Sequence, residues 1–251
     1  MRNPEAHNAA PFLPWHRLFV HIYEALLQEY CDYNGPMPYW DWTLDSQNLL
    51  ASPIWNTDDG FGPSGSMSLN TDMRISVNGY CVTSGPFANY TPIYYEGVYH
   101  PHCLSRGFLA EETVKRVGDK TLRPDIIADI IRRERNYFDF LLGLERVSHS
   151  SIPYVVQGDF KVLTAPNDPV FYLHHAQVDR LWWSWQRVSP ERSEQYNGPA
   201  RNVEVVEARL DDVLDLGGLG LDLRFGKVTV RDVMNIEGGL LCYRYDQDVV
   251  Y

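Results

Sequence analysis

No stretch of the chain approaches the roughly 18–20 continuous apolar residues that a membrane-spanning helix needs, so no membrane partner is expected. No run of Lys or Arg occurs, and 33 Asp and Glu against 22 Lys and Arg set the formal net charge at −11. That balance argues against nucleic acid and anionic membrane surfaces as partners. None of the four cysteines, Cys31, Cys81, Cys103 and Cys242, forms a CxxC pair, which argues against a zinc ribbon or a thioredoxin-type site. Their even number and wide spacing suit two disulfides in an oxidising compartment, with three pairings open. The sequon Asn89-Tyr90-Thr91 agrees with secretion. The start, Met1-Arg2-Asn3-Pro4-Glu5, lacks the apolar h-region of a signal peptide. No internal repeat and no low-complexity tract divides the chain.

What is present is a globular composition. With 251 residues, 44% of them apolar, the chain can bury a core without help from disulfides. The 7 Trp, 16 Tyr and 10 Phe suit both an aromatic core and an aromatic-lined pocket. Leu18, Phe19, Ile22, Tyr23, Leu26 and Leu27 recur at helical spacing and predict a helix from Trp15 to about Tyr30, with Pro14 just before it. Residues 43–120 are rich in Gly, Ser, Pro and Asn and predict a long, ordered, loop-rich excursion of the kind that covers a site. Ile126, Ile127, Ile130, Ile131, Phe138 and Leu141 predict a second helix over Pro124–Leu144, followed by a turn region over Ile152–Pro166. Asp168-Pro169 opens a third helix running to about Arg187, with Asp as N-cap and Pro at the first helical position. Short strand-like pieces follow at Lys227–Val230 and Leu240–Tyr245.

Eight histidines carry the chemistry. His7 and His16 lie nine residues apart, His174 and His175 stand side by side, and His149 follows the second helix. His21, His100 and His102 complete the set. His16 and His175 sit on apolar helices that must face a core. Imidazoles buried together there are costly unless each has a partner, and a metal supplies one. An imidazole cluster without Cys or carboxylate suits copper or zinc, and histidine alone does not choose between them.

The motifs around these histidines make the choice. The run His7 through Arg17, with FLPWHR at its end, resembles the first copper signature of the tyrosinases. Met37-Pro38-Tyr39-Trp40-Asp41-Trp42 resembles the PYWDW motif that follows it. Asn167 through Trp182, reading NDPVFYLHHAQVDRLW, resembles the second copper signature. Further pieces at Tyr80–Phe87, His102–Arg106 and Val233–Tyr243 resemble the secreted fungal branch, so the likeness spans nearly the whole chain. The sequence is therefore identified as a member of the tyrosinase and catechol oxidase family of type 3 copper proteins. That resemblance implies a mainly α fold: a type 3 copper four-helix bundle core, long ordered loops and a small C-terminal annex with short strands. It implies one copper-binding domain over residues 1–251, two copper ions, O2 and a small phenolic substrate, oxidation of phenols and o-diphenols to o-quinones, and an extracellular location.

Position by position, the resemblance carries metal ligation to His7, His16, His149 and His175. It makes His174 a neighbour that packs or hydrogen-bonds rather than ligates, and sets Phe171 one turn before His175, packed against the ring or the metal pocket. Glu24 and Asp179 become braces between helices, with Arg17 or Arg180 as partner for Asp179, and Ser150 lies where the family tunes its preference between mono- and diphenols. Two family positions lack a histidine. The family's H-x3-H reads His149-Ser150-Ser151-Ile152-Pro153 here, and proline offers no donor to a metal. The remaining ligand belongs upstream of His7, where only six residues stand, which predicts a chain that starts late and lacks its N-terminal helix. Two imidazoles per copper would then be completed by water or by a loop histidine, His100 or His102. The alternative is a tyrosinase-like pseudoenzyme with a degraded copper site. An oxygen carrier of the molluscan haemocyanin type shares the copper signatures, but the fungal-type loop and tail argue against it.

Overall fold

A computed structural model describes residues 6–66, 79–202, 206–216 and 226–247. Residues 1–5, on which the signal-peptide reading falls, lie outside this set. The chain divides into two compact units. Among the described residues, one holds those within Trp40–Ile127 and Arg146–His174, and the other holds the rest. The architecture is mainly helical, with a few two-residue strands and a small C-terminal annex.

In the second unit, helix α1 spans Phe12–Tyr30 and buries Phe12, Leu13, His16, Arg17, Leu18, Val20 and Ile22. It begins three residues earlier than its apolar stripe predicts, so Pro14 lies inside the first turn. The first four N–H groups of a helix have no intrahelical acceptor, so proline's missing donor costs nothing there. Leu18 and Ile22 share a core cluster with Trp183 and with Leu214, Leu216, Val228, Val230, Val233, Ile236 and Leu241 of the C-terminal annex. Of the two strand-like pieces expected there, Lys227–Val230 makes one bridge, Thr229 to Val213, and Leu240–Tyr245 is turn and irregular chain; a further bridge joins Pro199 to Glu207.

The predicted 124–144 helix is instead two. One, α3, spans Pro124–Arg133 and the next, α4, spans Tyr137–Gly143. Between them Asn136 accepts a hydrogen bond from the Asp139 N–H at 2.9 Å. This side-chain cap satisfies a backbone donor that a continuous helix would use differently, and here it overrides the periodic apolar stripe. A widened, π-type turn over Leu144–His149 leads into α5, Ser150–Val156, with Pro153 inside it. The expected turn region therefore begins only after Val156. Pro153 cannot donate to the His149 carbonyl, and the helical register changes at the point where that bond is missing.

The first unit contains the loop-rich excursion, with one correction. Residues Glu111–Thr121 form helix α2. Its apolar face is thin, with only Val114 and Gly118 buried, so periodicity could not reveal it. Glu111 and Glu112 in its first turn, Lys120 in its last and a Lys115–Asp119 pair at 2.7 Å suit the helix dipole and i,i+4 pairing. Gly118 has no substitute: a Cβ there would lie 1.8 Å from the Ser46 carbonyl oxygen. Two antiparallel ribbons complete the excursion. β1 (Tyr80–Cys81) pairs with β4 (Ser105–Arg106), and β2 (Tyr94–Tyr95) with β3 (Val98–Tyr99). A disulfide joins Cys81 to Cys103, while Cys31 and Cys242 are free, exposed thiols. The second of the two expected disulfides is therefore not formed.

The helix that carries the histidine pair, α6, spans Val170–Gln186. Asp168 caps it, accepting from the Val170 N–H at 3.0 Å. Asp168 also receives Arg106 in two bonds of 2.7 and 2.8 Å, and both side chains are fully buried. Arg106 spends its remaining donors on the Phe61 and Gly62 carbonyls at 2.9 and 2.7 Å. One buried guanidinium thus ties β4, the Phe61–Gly62 turn and the start of α6 together.

Candidate metal centre

In the second unit three imidazoles gather around Phe12. The His16 ring stacks on His175 with centroids 4.1 Å apart and planes 6° from parallel. His7 meets His16 edge-on at 5.0 Å. Phe12 lies 5.6 Å from His7, 4.8 Å from His16 and 6.3 Å from His175. His16 Nδ1 lies 2.8 Å from the Phe12 carbonyl oxygen one turn back on α1. A carbonyl only accepts, so Nδ1 carries a proton, which in the neutral ring makes Nε2 the ligating nitrogen. The backbone that presents His7 is pinned. The Asn8 N–H donates to both carboxylate oxygens of buried Glu145 at 2.9 and 3.0 Å, and Asn8 itself adopts φ 53°. The Ala10 carbonyl accepts from the buried Tyr137 hydroxyl at 2.5 Å.

In the first unit His149 and His174 stack at 5.1 Å, 28° from parallel. Each offers a ring nitrogen within 4.8 Å of the other's. Phe160 approaches His174 edge-on at 5.8 Å and Trp42 lies at 6.4 Å. Burial pushes the His174 imidazole down to about 3, so its ring is neutral. Phe171 packs 6.2 Å from Phe160.

Two loop histidines were the alternative to water for completing each copper. His102 is committed elsewhere. Its Nδ1 faces the His100 carbonyl at 2.8 Å and its Nε2 faces Asp159 at 2.8 Å. Asp159 is a buried hub that also accepts from the Ser105 N–H and hydroxyl at 2.9 and 2.8 Å and from Asn167 at 3.3 Å. His100 is exposed.

Asp179, one turn beyond His175, joins Arg17 of α1 rather than Arg180. Arg17 also donates to the Val233 and Met234 carbonyls at 2.9 and 3.2 Å and to Gln186 at 3.2 Å, and lies 3.6 Å over the Trp182 ring. Asp179 further accepts from Tyr243 and Tyr245 at 2.5 and 2.7 Å. Burial, together with the Asp179 charge, holds both phenols well above their usual range. These two tyrosines, the Arg106–Asp168 pair and the Asp159 hub escaped the sequence reading. Each depends on partners 54 to 66 positions away, and only the bare Tyr-x-Tyr spacing hinted at any of them. Glu24 accepts from the Met37 N–H at 2.8 Å, and burial raises its carboxyl above the usual range.

The buried imidazoles of His16, His149, His174 and His175, with His174 neutral, form a candidate metal centre in a mainly α fold. The family model for the common central domain of tyrosinase matches residues 1–188, and the chain belongs to the tyrosinase family. It is 41% identical to the tyrosinase-like protein phomQ1 of Diaporthe leptostromiformis, over 96% of this chain and 64% of that protein. To tyrosinase ustQ of Aspergillus flavus it is 42% identical, over 95% of this chain and 64% of the relative. The chain thus spans a little under two thirds of these relatives' length. Among solved structures it resembles a polyphenol oxidase from Thermothelomyces thermophila at TM-score 0.76 and 25% identity, covering 98% of this chain and 75% of the other.

Proposed function

We propose that this chain is a copper-dependent oxidoreductase that uses O2 to oxidise phenols and o-diphenols to o-quinones, two electrons and two protons leaving each o-diphenol. The observation that carries this reading is the trio His7, His16 and His175 around Phe12, with Nε2 of His16 left as the donor atom. The donor set fits copper: imidazoles, buried at His16, His149 and His175 and half-buried at His7, with no thiolate among them. His7 and His16 would hold the first copper, and His149 and His175 the second. When bound, copper supplies O2 binding and the redox chemistry.

The chain's own residues do the rest. The Phe12 carbonyl keeps His16 in the ligating tautomer. Phe12, and Phe160 with Trp42, wall the imidazoles with apolar rings that exclude water. The Arg17–Asp179 pair and the Arg106–Asp168 pair fix the two ends of the histidine-bearing segment.

We read residues 1–251 as one tyrosinase-type domain whose substrate is a small phenol, in a pigment or secondary-metabolite pathway, and place it outside the cytosol. The Cys81–Cys103 disulfide supports that location, and among the described residues no helix is long and apolar enough to cross a membrane. The excess of acidic residues speaks against nucleic acid. The competing reading is a pseudoenzyme, favoured by Pro153 at a family ligand position. Loading the chain with copper, counting the metal by elemental analysis and following O2 uptake with catechols separates the two. The oxidase reading expects two coppers per chain and catechol-dependent uptake. Well under two coppers and no uptake would establish the pseudoenzyme.

A further inference from the structure

We propose that His174, and not the residue at position 153, supplies the missing imidazole of the second copper, alongside His149. The proposal rests on the copper reading above. It begins with Pro153, which lies one turn beyond His149 in α5 and offers no donor atom. A copper held by His149 therefore needs its next ligand from another element.

Within the first unit few groups can serve. His100 is exposed, and His102 turns both ring nitrogens to oxygen acceptors, the His100 carbonyl and Asp159. Cys81 and Cys103 are consumed in their disulfide. His174 is the imidazole that lies against His149, ring stacked on ring at 5.1 Å. The two rings offer nitrogens within 4.8 Å of each other. Two imidazoles on one tetrahedral ion, with bonds of about 2.0–2.1 Å, stand about 3.3 Å apart. A small rotation of either ring closes the difference.

The setting fits a ligand better than a spacer. A packing neighbour in a dry core would serve as well as Phe or Leu, and Phe160 and Trp42 already supply apolar surface there. The mount is also firm. The Trp40 N–H bonds the Leu173 carbonyl at 3.1 Å, and Asp168 caps the start of the same helix, so the ring is held on a rigid element.

The test counts copper on the full chain. The unmodified chain is expected to bind two coppers, and His174→Gln to lose the second at a chelator concentration that the unmodified chain withstands, with thermal melting confirming that the variant is folded. Pro153→Ala removes no ligand under this proposal and is expected to leave the copper count unchanged. His174→Gln that holds both coppers as tightly as the unmodified chain overturns the proposal. Diffraction at the copper edge from the unmodified, copper-loaded chain decides the matter even where the variant does not fold. A copper bonded to a His174 nitrogen supports the assignment, and a copper on His149 with His174 uncoordinated overturns it while leaving the copper reading intact. No copper at all on the unmodified chain overturns both.

Discussion

Replacing Asp179 by Asn keeps the shape of the side chain and removes its charge. Arg17 is fully buried and Asp179 nearly so. The guanidinium would then face only carbonyls, an amide and the Trp182 ring. Leaving one member of a buried pair uncompensated costs about 3–5 kcal/mol. The hydroxyls of Tyr243 and Tyr245 also lose a charged acceptor. Each such bond is worth roughly 1.5–3 kcal/mol, but the bonds share one carboxylate and do not add. The expected loss therefore stays near 3–5 kcal/mol, a large part of the roughly 5–15 kcal/mol that holds a domain folded. In a chain of this length that lowers Tm by roughly 6–20 °C. Urea unfolding should show a lower midpoint at unchanged slope. The double variant Arg17→Met/Asp179→Leu, which removes both charges, should recover much of the loss. A loss below about 1 kcal/mol in Asp179→Asn would refute the view that this carboxylate neutralises a buried cation.

Alkali should act through the same cluster. Tyr137, Tyr243 and Tyr245 are all held above their ordinary value of 10.0, chiefly by burial. A raised pKa means the stability they confer is complete below pH 10 and is lost as pH climbs beyond it, so urea midpoints should fall steeply above about pH 10, and less steeply in Tyr245→Phe. Asp168→Asn strands Arg106 in the other buried pair and should cost about 3–5 kcal/mol in the same urea assay. Replacing Cys81 and Cys103 by Ser opens a loop with a sequence separation of 22. Loop-closure entropy puts that loss at about 3 kcal/mol, and a melting temperature unchanged in the double serine variant would contradict it.

The helices were legible where one face is strongly apolar. Leu18, Ile22 and their neighbours marked α1, and Asp168-Pro169 marked the start of α6, because burial and capping leave a local trace. Helix α2 left none, since little more than Val114 and Gly118 turns inward and its stability comes from charge placement and a close fit to Ser46. The break at Asn136 was hidden for the opposite reason. The stripe ran on, but one side-chain cap redirected the backbone.

The sequence by itself determined the family and the histidines to examine, because ligand spacing on a helix is a local property. His7 to His16, the pair His174-His175, and the absence of a donor at Pro153 can all be read along the chain. Only the tertiary structure decided what each group does. Asp179 turns to Arg17 and two distant tyrosines rather than to Arg180, His102 is bound to Asp159, and His174 lies ring to ring with His149. These outcomes depend on which segments pack together. A buried charge or imidazole takes whatever partner the fold brings within about 3–5 Å, and no local spacing records that partner.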